Sequence, residues 1–369
     1  MTLPKKKDNI VIERKTLYKS LMKRGKNMNG ELKTPVIVGL DHGNGWVKAK
    51  TSTQELVLPS YIARKDSIGE GLVGKELDVK EYESNNAKGE VYIWGKDVIK
   101  ANHLLSTYGS QDRYKQKNYG LLNEFALATV LADHESDVIE NVWVITGVPS
   151  EEKGTILEKD LEKALIGAHL VKVNGVDKII KVSKVVILPQ PVGTIMSLYL
   201  DDRGYVSDDS FEDDGIAIID LGTGTTDLDH IRELRRQEED TLSIPIGMFD
   251  VYKRIERYIK KHHPNATVTA QKIEAQFSSD SYVISKRSSV DITDIKEQAL
   301  EEIATEIKNA ITQQWKTWDR FDSIVITGGG ASTLGKKLKE LIEDIKPVQN
   351  SQTANANGFY NYGEFLKGE

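Results

Sequence analysis

Two stretches of the sequence share one outline: Val36–Lys48 reads VIVGLDHGNGWVK, and Ile216–Asp227 reads IAIIDLGTGTTD. Each begins with an apolar run typical of a strand buried on both faces. Each run ends at an aspartate, and two glycines one residue apart follow, which predicts a tight hairpin. Asp41 and Asp220 lie 179 residues apart, nearly half of the chain. A repeat of that length predicts two duplicated α/β domains rather than a solenoid.

Length and composition exclude several classes of protein. The 369 residues suffice for about two domains, each with its own core. Cysteine is absent, which excludes disulfides and cysteine-ligated metal sites. The apolar runs are far shorter than the roughly 20 residues of a membrane span, so we expect no membrane association and a cytoplasmic location. A net charge of −6 argues against a general nucleic-acid coat.

The first 34 residues differ from the rest, since they carry a charge of +7 and leave −13 on the remaining chain. This composition predicts a flexible basic extension over residues 1–34. An arm that contacts nucleic acid or an acidic neighbouring subunit is an alternative. A further alternative is that translation starts at Met28, just before the first strand.

Strands alternate with helices over the rest of the chain, which indicates an α/β architecture. Asn174-Gly175 predicts a hairpin turn between two strands. Helices are predicted at 119–132, 156–165, 191–200, 246–261 and 334–345, with a mostly helical region up to residue 318 and a buried strand at 323–327.

The domain boundaries follow from these patterns. The first domain is expected at 35–193, with a small variable subdomain near 61–117 where the chain is polar. The second domain is expected at 194–345, with a helical subdomain near 247–318. Residues 346–369 are expected to pack back on the first domain.

The two hairpins suit phosphate binding. Glycines allow backbone N–H groups to approach a ligand without a Cβ in the way, and successive amides form an anion-binding concavity. Lys48 adds a point charge for phosphate oxygens. Asp41 and Asp220 beside phosphate imply a divalent cation, Mg²⁺, held largely through water. Taken singly, each hairpin is also compatible with an ordinary Asp-Gly turn.

A third glycine-rich segment, Gly328-Gly329-Gly330, lies between a strand and a helix. Open α/β sheets bind ligands at this end of a strand, and glycines there allow a base or ribose to rest on the backbone. A tight strand–helix turn without a ligand is the alternative. The segment is neither a Rossmann fingerprint nor a Walker A loop, because neither spacing occurs.

In this order, the two hairpins and the late glycines resemble the phosphate-1, phosphate-2 and adenosine motifs of the actin-like ATPase superfamily. The chain is most similar to the ParM-like plasmid-segregation actins of bacteria. Further signs are the segments 146–149 (TGVP), 189–194 (PQPVGT) and 357–363 (NGFYNYG). The resemblance implies an α/β, actin-like fold of duplicated domains around a nucleotide cleft.

The resemblance also implies roles for individual residues. Asp41 and Asp220 match the aspartates that handle Mg²⁺ and the attacking water, and Lys48 matches the phosphate-1 lysine. Gln190 takes the place of a Glu or Gln that orients the hydrolytic water. A neutral amide cannot take a proton, so hydrolysis should be slow and rely on positioning. A helix-capping role is the alternative for Gln190. The matching nucleotide-binding positions are Gly43, Asn44, Gly45, Gly222, Thr223, Gly224, Thr225, Gly328, Gly329 and Gly330.

The function implied is a filament-forming ATPase or GTPase that segregates plasmid DNA through a DNA-binding adaptor at a centromere-like site. The protein itself would not bind a DNA sequence directly. A sugar-type kinase of the same superfamily is an alternative, although no residue stands out as the acidic base for a substrate hydroxyl. A nucleotide-binding scaffold without hydrolysis is another.

Overall fold

The structure is a computed structural model that describes residues 34–69, 76–107 and 112–368. The strands of the first half are β1 (Val36–His42), β2 (Trp46–Lys50), β3 (Glu55–Pro59), β4 (Tyr61–Arg64), β5 (Lys80–Ser84), β6 (Tyr92–Trp94), β7 (Leu105–Ser106), β8 (Val138–Val148), β9 (Gly167–Val173) and β10 (Val176–Pro189). Those of the second half are β11 (Gly215–Leu221), β12 (Thr226–Arg232), β13 (Arg235–Arg236), β14 (Leu242–Ile244), β15 (Ser281–Ser285), β16 (Ser288–Asp291), β17 (Ser323–Thr327) and β18 (Ile345–Pro347). The α-helices are α1 (Lys117–Val130), α2 (Ile156–Leu165), α3 (Gln190–Tyr199), α4 (Met248–His262), α5 (Ala270–Glu274), α6 (Thr293–Gln314), α7 (Leu334–Leu341) and α8 (Ala354–Gly368).

The first sheet has ten strands in the order β3-β2-β1-β8-β10-β9-β5-β6-β4-β7. β1 is parallel to β8 and antiparallel to β2. The apolar residues of β1 alternate between two covered faces. Val38 shares a core with Phe125 of α1, whereas Ile37 packs with Phe359 of α8. A Cβ on Gly39 would lie 2.2 Å from the carbonyl oxygen of Ala356, so the α8 backbone rests directly on β1.

The second sheet follows the order β13-β12-β11-β17-β18, and β14 pairs with β12. Its strand β11 is buried along its whole length, antiparallel to β12 and parallel to β17. β11 therefore has the same kinds of neighbour as β1 in the first sheet. The predicted fold class, two duplicated α/β halves, is confirmed.

Helices α3 and α8 cross where two glycines meet. A Cβ on Gly358 would lie 1.7 Å from the carbonyl oxygen of Gly193, and a Cβ on Gly193 would lie 2.9 Å from the Cα of Asn355. Only glycine permits such an approach of two backbones. Ile195 of α3 and Ala354 of α8 also pack on the residues of β11. The crossed pair therefore joins the two sheets.

Some predicted elements differ from the structure. The region predicted as mostly helical up to residue 318 contains the hairpin β15–β16, whose Lys-Arg turn lacks the usual Gly or Asn signal. The helix predicted at 334–345 ends at Leu341, because Ile345 pairs with β17 as part of β18. After the predicted turn at Asn174-Gly175, strand β10 runs from Val176 to Pro189, with irregularities in its pairing to β8.

The variable region near 61–117 is not separate from the first sheet, since β5 pairs with β9. The predicted basic extension lies outside the described residues, except for Thr34. In the ranges that the structure describes, no helix combines the length and the apolar character needed to cross a membrane.

Candidate active site

The first glycine hairpin, between β1 and β2, carries a buried ion pair. Asp41 and Lys48 are register partners, and Lys48 Nζ lies 2.8 Å from Asp41 Oδ2. Their side chains are only 4% and 11% exposed, so the pair is shielded from water. Gln190, the first residue of α3, donates from Nε2 to the other Asp41 oxygen at 2.8 Å. The Gln190 side chain thus binds Asp41 and does not cap its helix.

The second hairpin, between β11 and β12, concentrates negative charge. Asp220 is the second-last residue of the buried strand β11 and is the register partner of Asp227. Burial, with the charges of Asp227 and Asp41, raises the pKa of Asp220 to about 7, although Asn355 and Lys48 oppose the shift. Burial raises the pKa of Asp227 to about 6 against hydrogen bonds from two hydroxyls. The cluster therefore has more carboxylates than cations.

The two hairpins touch each other across the gap between the sheets. A Cβ on Gly45 would lie 2.2 Å from Thr223 Oγ1. In the second hairpin, Gly222 N donates to Thr225 O at 2.9 Å, and Thr223 O accepts from the N–H of Phe249 in α4 at 2.7 Å. Beside this contact, the Trp46 indole N–H donates to Glu274 Oε1 of α5 at 3.0 Å. The two halves are thus closed on each other at the glycine turns.

The third glycine-rich segment packs on the second hairpin. Gly328 has a φ of +87°, and a Cβ there would lie 2.3 Å from Asp220 Oδ1. Gly330 N donates to the carbonyl oxygen of Leu221 at 2.9 Å. Gly329 faces open space, with no atom within 4 Å of a Cβ position. Two of these glycines serve local packing, and the third leaves backbone open to a ligand.

The structure brings the predicted residues together. Lys48 and Gln190 both donate hydrogen bonds to Asp41, and Asp41 is close enough to Asp220 to help raise the pKa of that carboxyl. Asn44 Oδ1 accepts from Arg113 at 3.2 Å, so its side chain is held. Gly43, Gly45, Gly222, Thr223, Gly224 and Thr225 all lie in the two facing turns.

Sequence patterns did not point to several residues beside the site. Asn355 of α8 donates to Asp220, and its own oxygen accepts from Thr194 of α3. His42 donates from Nδ1 to Asn123 Oδ1 at 2.6 Å and stacks on Tyr119. Burial lowers the pKa of His42 to about 3, so it adds no charge near pH 7. His42 and Thr194 lie within segments singled out from the sequence, but nothing in those segments indicates these contacts, because the partners are distant in the sequence.

Comparison with known families assigns both halves of the chain. Residues 39–193 match the model of the N-terminal domain of actin-like proteins, and residues 218–340 match the C-terminal domain of the archaeal MreB-like actin homologue. The chain belongs to the actin-like superfamily. The two matched ranges contain the first and second hairpins, respectively, of this actin-like protein.

Solved structures support the same assignment. The apo ParM protein of psk41 is 29% identical, with a TM-score of 0.70, over 91% of this chain and 99% of that one. The archaeal actin homolog Ta0583 is 22% identical, with a TM-score of 0.72, over 89% and 99%. It has also been solved in complex with ADP. A 15-stranded ParM filament from Clostridium botulinum is 19% identical, with a TM-score of 0.73, over 89% and 99%. No curated protein sequence matches the chain.

Proposed function

We propose that this actin-like protein binds and slowly hydrolyses ATP or GTP between its two halves and assembles into filaments in the nucleotide-bound state. The observation that carries the proposal is the meeting of the two glycine turns, with Gly45 against Thr223. A buried lysine and three carboxylates lie directly behind them. A phosphate chain gripped by both turns would hold the halves closed.

The turns and Lys48 would bind the phosphates. Backbone N–H groups of the two turns supply donors, and the buried ammonium group supplies positive charge in a region of low dielectric constant. Lys48 is fixed by Asp41, so little side-chain entropy is lost on binding. The open backbone at Gly329 offers a surface for the base or ribose.

The excess of carboxylates fits a divalent cation. Asp41 and Asp220 would hold Mg²⁺, largely through water, since both supply carboxylate oxygens. Burial first, and then the nearby charges of Asp227 and Asp41, raise the pKa of Asp220, and a bound cation would favour its ionised form. When bound, Mg²⁺ would neutralise charge on the phosphate oxygens. Among the described residues, no group of three or more histidine or acidic side chains is placed to hold a metal ion. In the proposed site, phosphate oxygens and water would supply the remaining ligands.

Gln190 would orient the attacking water. Because Asp41 only accepts hydrogen bonds, the Gln190 amide nitrogen must face it, and the carbonyl oxygen of the same group points elsewhere. That oxygen is then able to accept a hydrogen bond from water. An amide cannot remove the proton, so the reaction depends on positioning and turnover is expected to be slow.

Assembly into filaments is supported by the likeness to ParM structures, one of which is itself a filament. Head-to-tail contacts of one surface with another produce open polymers. Following the ParM resemblance, we propose that the filament moves plasmid DNA in the cytoplasm. A DNA-binding adaptor at a centromere-like site would link the two, with no direct sequence reading by this chain.

The test is to measure phosphate release and sedimentation with ATP and with GTP, each with and without Mg²⁺. We expect nucleotide-dependent polymer and slow release of phosphate. Asp220→Ala should abolish release and leave assembly possible. Asp177→Ala, which removes an exposed carboxylate on the β9–β10 hairpin, is the matched control and should behave as wild type.

Three outcomes would contradict the proposal. Absence of polymer with both nucleotides over a wide range of protein concentration would refute filament formation. Transfer of phosphate to a sugar in a substrate screen would indicate a kinase instead. Stoichiometric nucleotide binding without phosphate release would indicate a scaffold.

A further inference from the structure

A chain of buried hydrogen bonds leads from Asp220 into the crossing of α3 and α8. Asn355 Nδ2 donates to Asp220 Oδ2 at 2.8 Å, and Thr194 Oγ1 donates to Asn355 Oδ1 at 2.8 Å. Thr194 Oγ1 also lies 3.1 Å from the hydroxyl of Thr327, the register partner of Asp220. Thr194 is 0% exposed, Asn355 4% and Asp220 5%.

The direction of each bond in this chain is fixed by chemistry. The Asn355 amide nitrogen faces Asp220 Oδ2, and when Asp220 is ionised its carboxylate can only accept this hydrogen bond. Its carbonyl oxygen then faces Thr194, whose hydroxyl must donate. Loss of the Thr194 hydroxyl would leave a buried amide oxygen without a partner, which is costly in a shielded site.

The Asp220 carboxylate is held on both sides. Oδ2 accepts from Asn355, while Oδ1 lies so close to Gly328 that a Cβ there would be 2.3 Å away. The donor itself depends on the helix crossing. The close helix contact at Gly193, where an added Cβ would lie 2.9 Å from the Asn355 Cα, also places Asn355 beside Thr194, the next residue after Gly193. A change in the packing of α3 on α8 would therefore move the group that orients Asp220.

We propose that Asn355 is a positioning residue for Asp220, and that Thr194 makes this positioning depend on the packing of the two crossing helices. The inference rests on the proposed nucleotide hydrolysis, because Asp220 is its principal candidate carboxylate. Asn355 touches no substrate in this scheme and acts only through Asp220. Hydrolysis is thereby coupled to the arrangement of the two halves.

The test compares Asn355→Ala with Asn361→Ala. Asn361 is on the same helix, is 5% exposed, and donates from Nδ2 to the carbonyl oxygen of Leu200 at 2.8 Å, away from Asp220. Steady-state phosphate release gives kcat and KM, a fluorescent non-hydrolysable nucleotide gives the affinity, and thermal unfolding gives the stability of each variant.

We expect Asn355→Ala to lower kcat by about 10- to 100-fold, the usual effect of removing a group that orients a functional ligand. KM and nucleotide affinity should stay within about threefold, because the phosphate-binding turns are untouched. Asn361→Ala should lower the melting temperature to a similar extent while its kcat stays within about twofold of wild type.

A second pair of variants, at Thr194, tests the proposal in case Asn355→Ala fails to fold. Thr194→Val keeps the shape and removes the hydroxyl, so it should lower kcat in the same way as Asn355→Ala. Thr194→Ser retains the donor and should restore most of that loss. A wild-type kcat in Asn355→Ala, or an equal loss in Asn361→Ala, would overturn the proposal. Absence of phosphate release from the wild-type protein would instead refute the proposed hydrolysis itself.

Discussion

Substitution of Gly45 by alanine should weaken nucleotide binding by forcing the two glycine turns apart. Gly45 has no positive φ, so alanine meets no backbone strain there. The added Cβ would lie 2.2 Å from Thr223 Oγ1 and 2.9 Å from its Cβ and Cγ2. Ordinary contacts are about 3.5 Å, so the turns must separate by about 1 Å. Overpacking of this kind costs about 1–3 kcal/mol, which corresponds to about 5- to 150-fold weaker binding.

The assay is an equilibrium titration with a fluorescent ATP or GTP analogue. Gly120→Ala is the control, because a Cβ on that helical glycine meets no atom within 4 Å. In the double variant Gly45→Ala with Thr223→Gly, the overlap disappears and most of the affinity lost in Gly45→Ala should return. Unchanged affinity in Gly45→Ala, or no recovery in the double variant, would refute the idea that contact between the turns governs closure.

Three further changes probe the charges and the tight packing. Gln190→Glu places a second carboxylate against Asp41 and should lower the free energy of unfolding by about 1–3 kcal/mol at pH 8. Because the folded variant takes up a proton as the pH falls, urea unfolding should show a smaller loss of stability at pH 6. Gly328→Ala combines an unfavourable positive φ with a clash against Asp220 Oδ1. It should lower the free energy of unfolding by about 2–4 kcal/mol and should also lower the rate of turnover. A stable, active variant would show that the turn relaxes easily. Burial raises the pKa of Glu274 from 4.5 to about 7, so between these pH values the folded protein keeps a proton that the unfolded chain loses. The stability that this group contributes to the wild-type protein therefore falls as the pH rises from about 4.5 to 7. Glu274→Gln removes that dependence, so the stability of the variant relative to wild type should rise by about 1–3 kcal/mol between pH 4.5 and 8. If the stabilities of the two proteins change with pH in parallel, the raised pKa of Glu274 is refuted.

Local signals were enough to predict the two hairpins, because a buried strand, an aspartate and two spaced glycines are contiguous in each. The same holds for α2, whose predicted bounds agree with the structure, and whose Thr155 caps the first turn through Leu157 N. The repeat of the hairpin then led to the duplicated fold. The closeness of Asp41, Lys48 and Gln190 follows from the fold that the resemblance implied.

Contacts between segments that are distant in the sequence could not be predicted from such local signals. Asn355 lies 135 residues from Asp220, and it stands just outside the segment 357–363 that was singled out for the resemblance. The β15–β16 hairpin was missed because its turn, Lys286-Arg287, has helix-compatible residues. The short strand β18 depends on its pairing with β17, and no periodicity in the sequence indicates that pairing.

The glycine crossing of α3 and α8 sets what kind of movement the molecule can make. With no side chain between the two backbones, the helices have no room to approach and no layer on which to slide. Rotation of one helix relative to the other about the contact of Gly193 and Gly358 is the movement that this packing leaves open. Displacement then grows with distance from this contact, so the outer ends of both sheets would move furthest. A small rotation at the glycine contact would thus become a larger displacement at the outer edges of the two sheets.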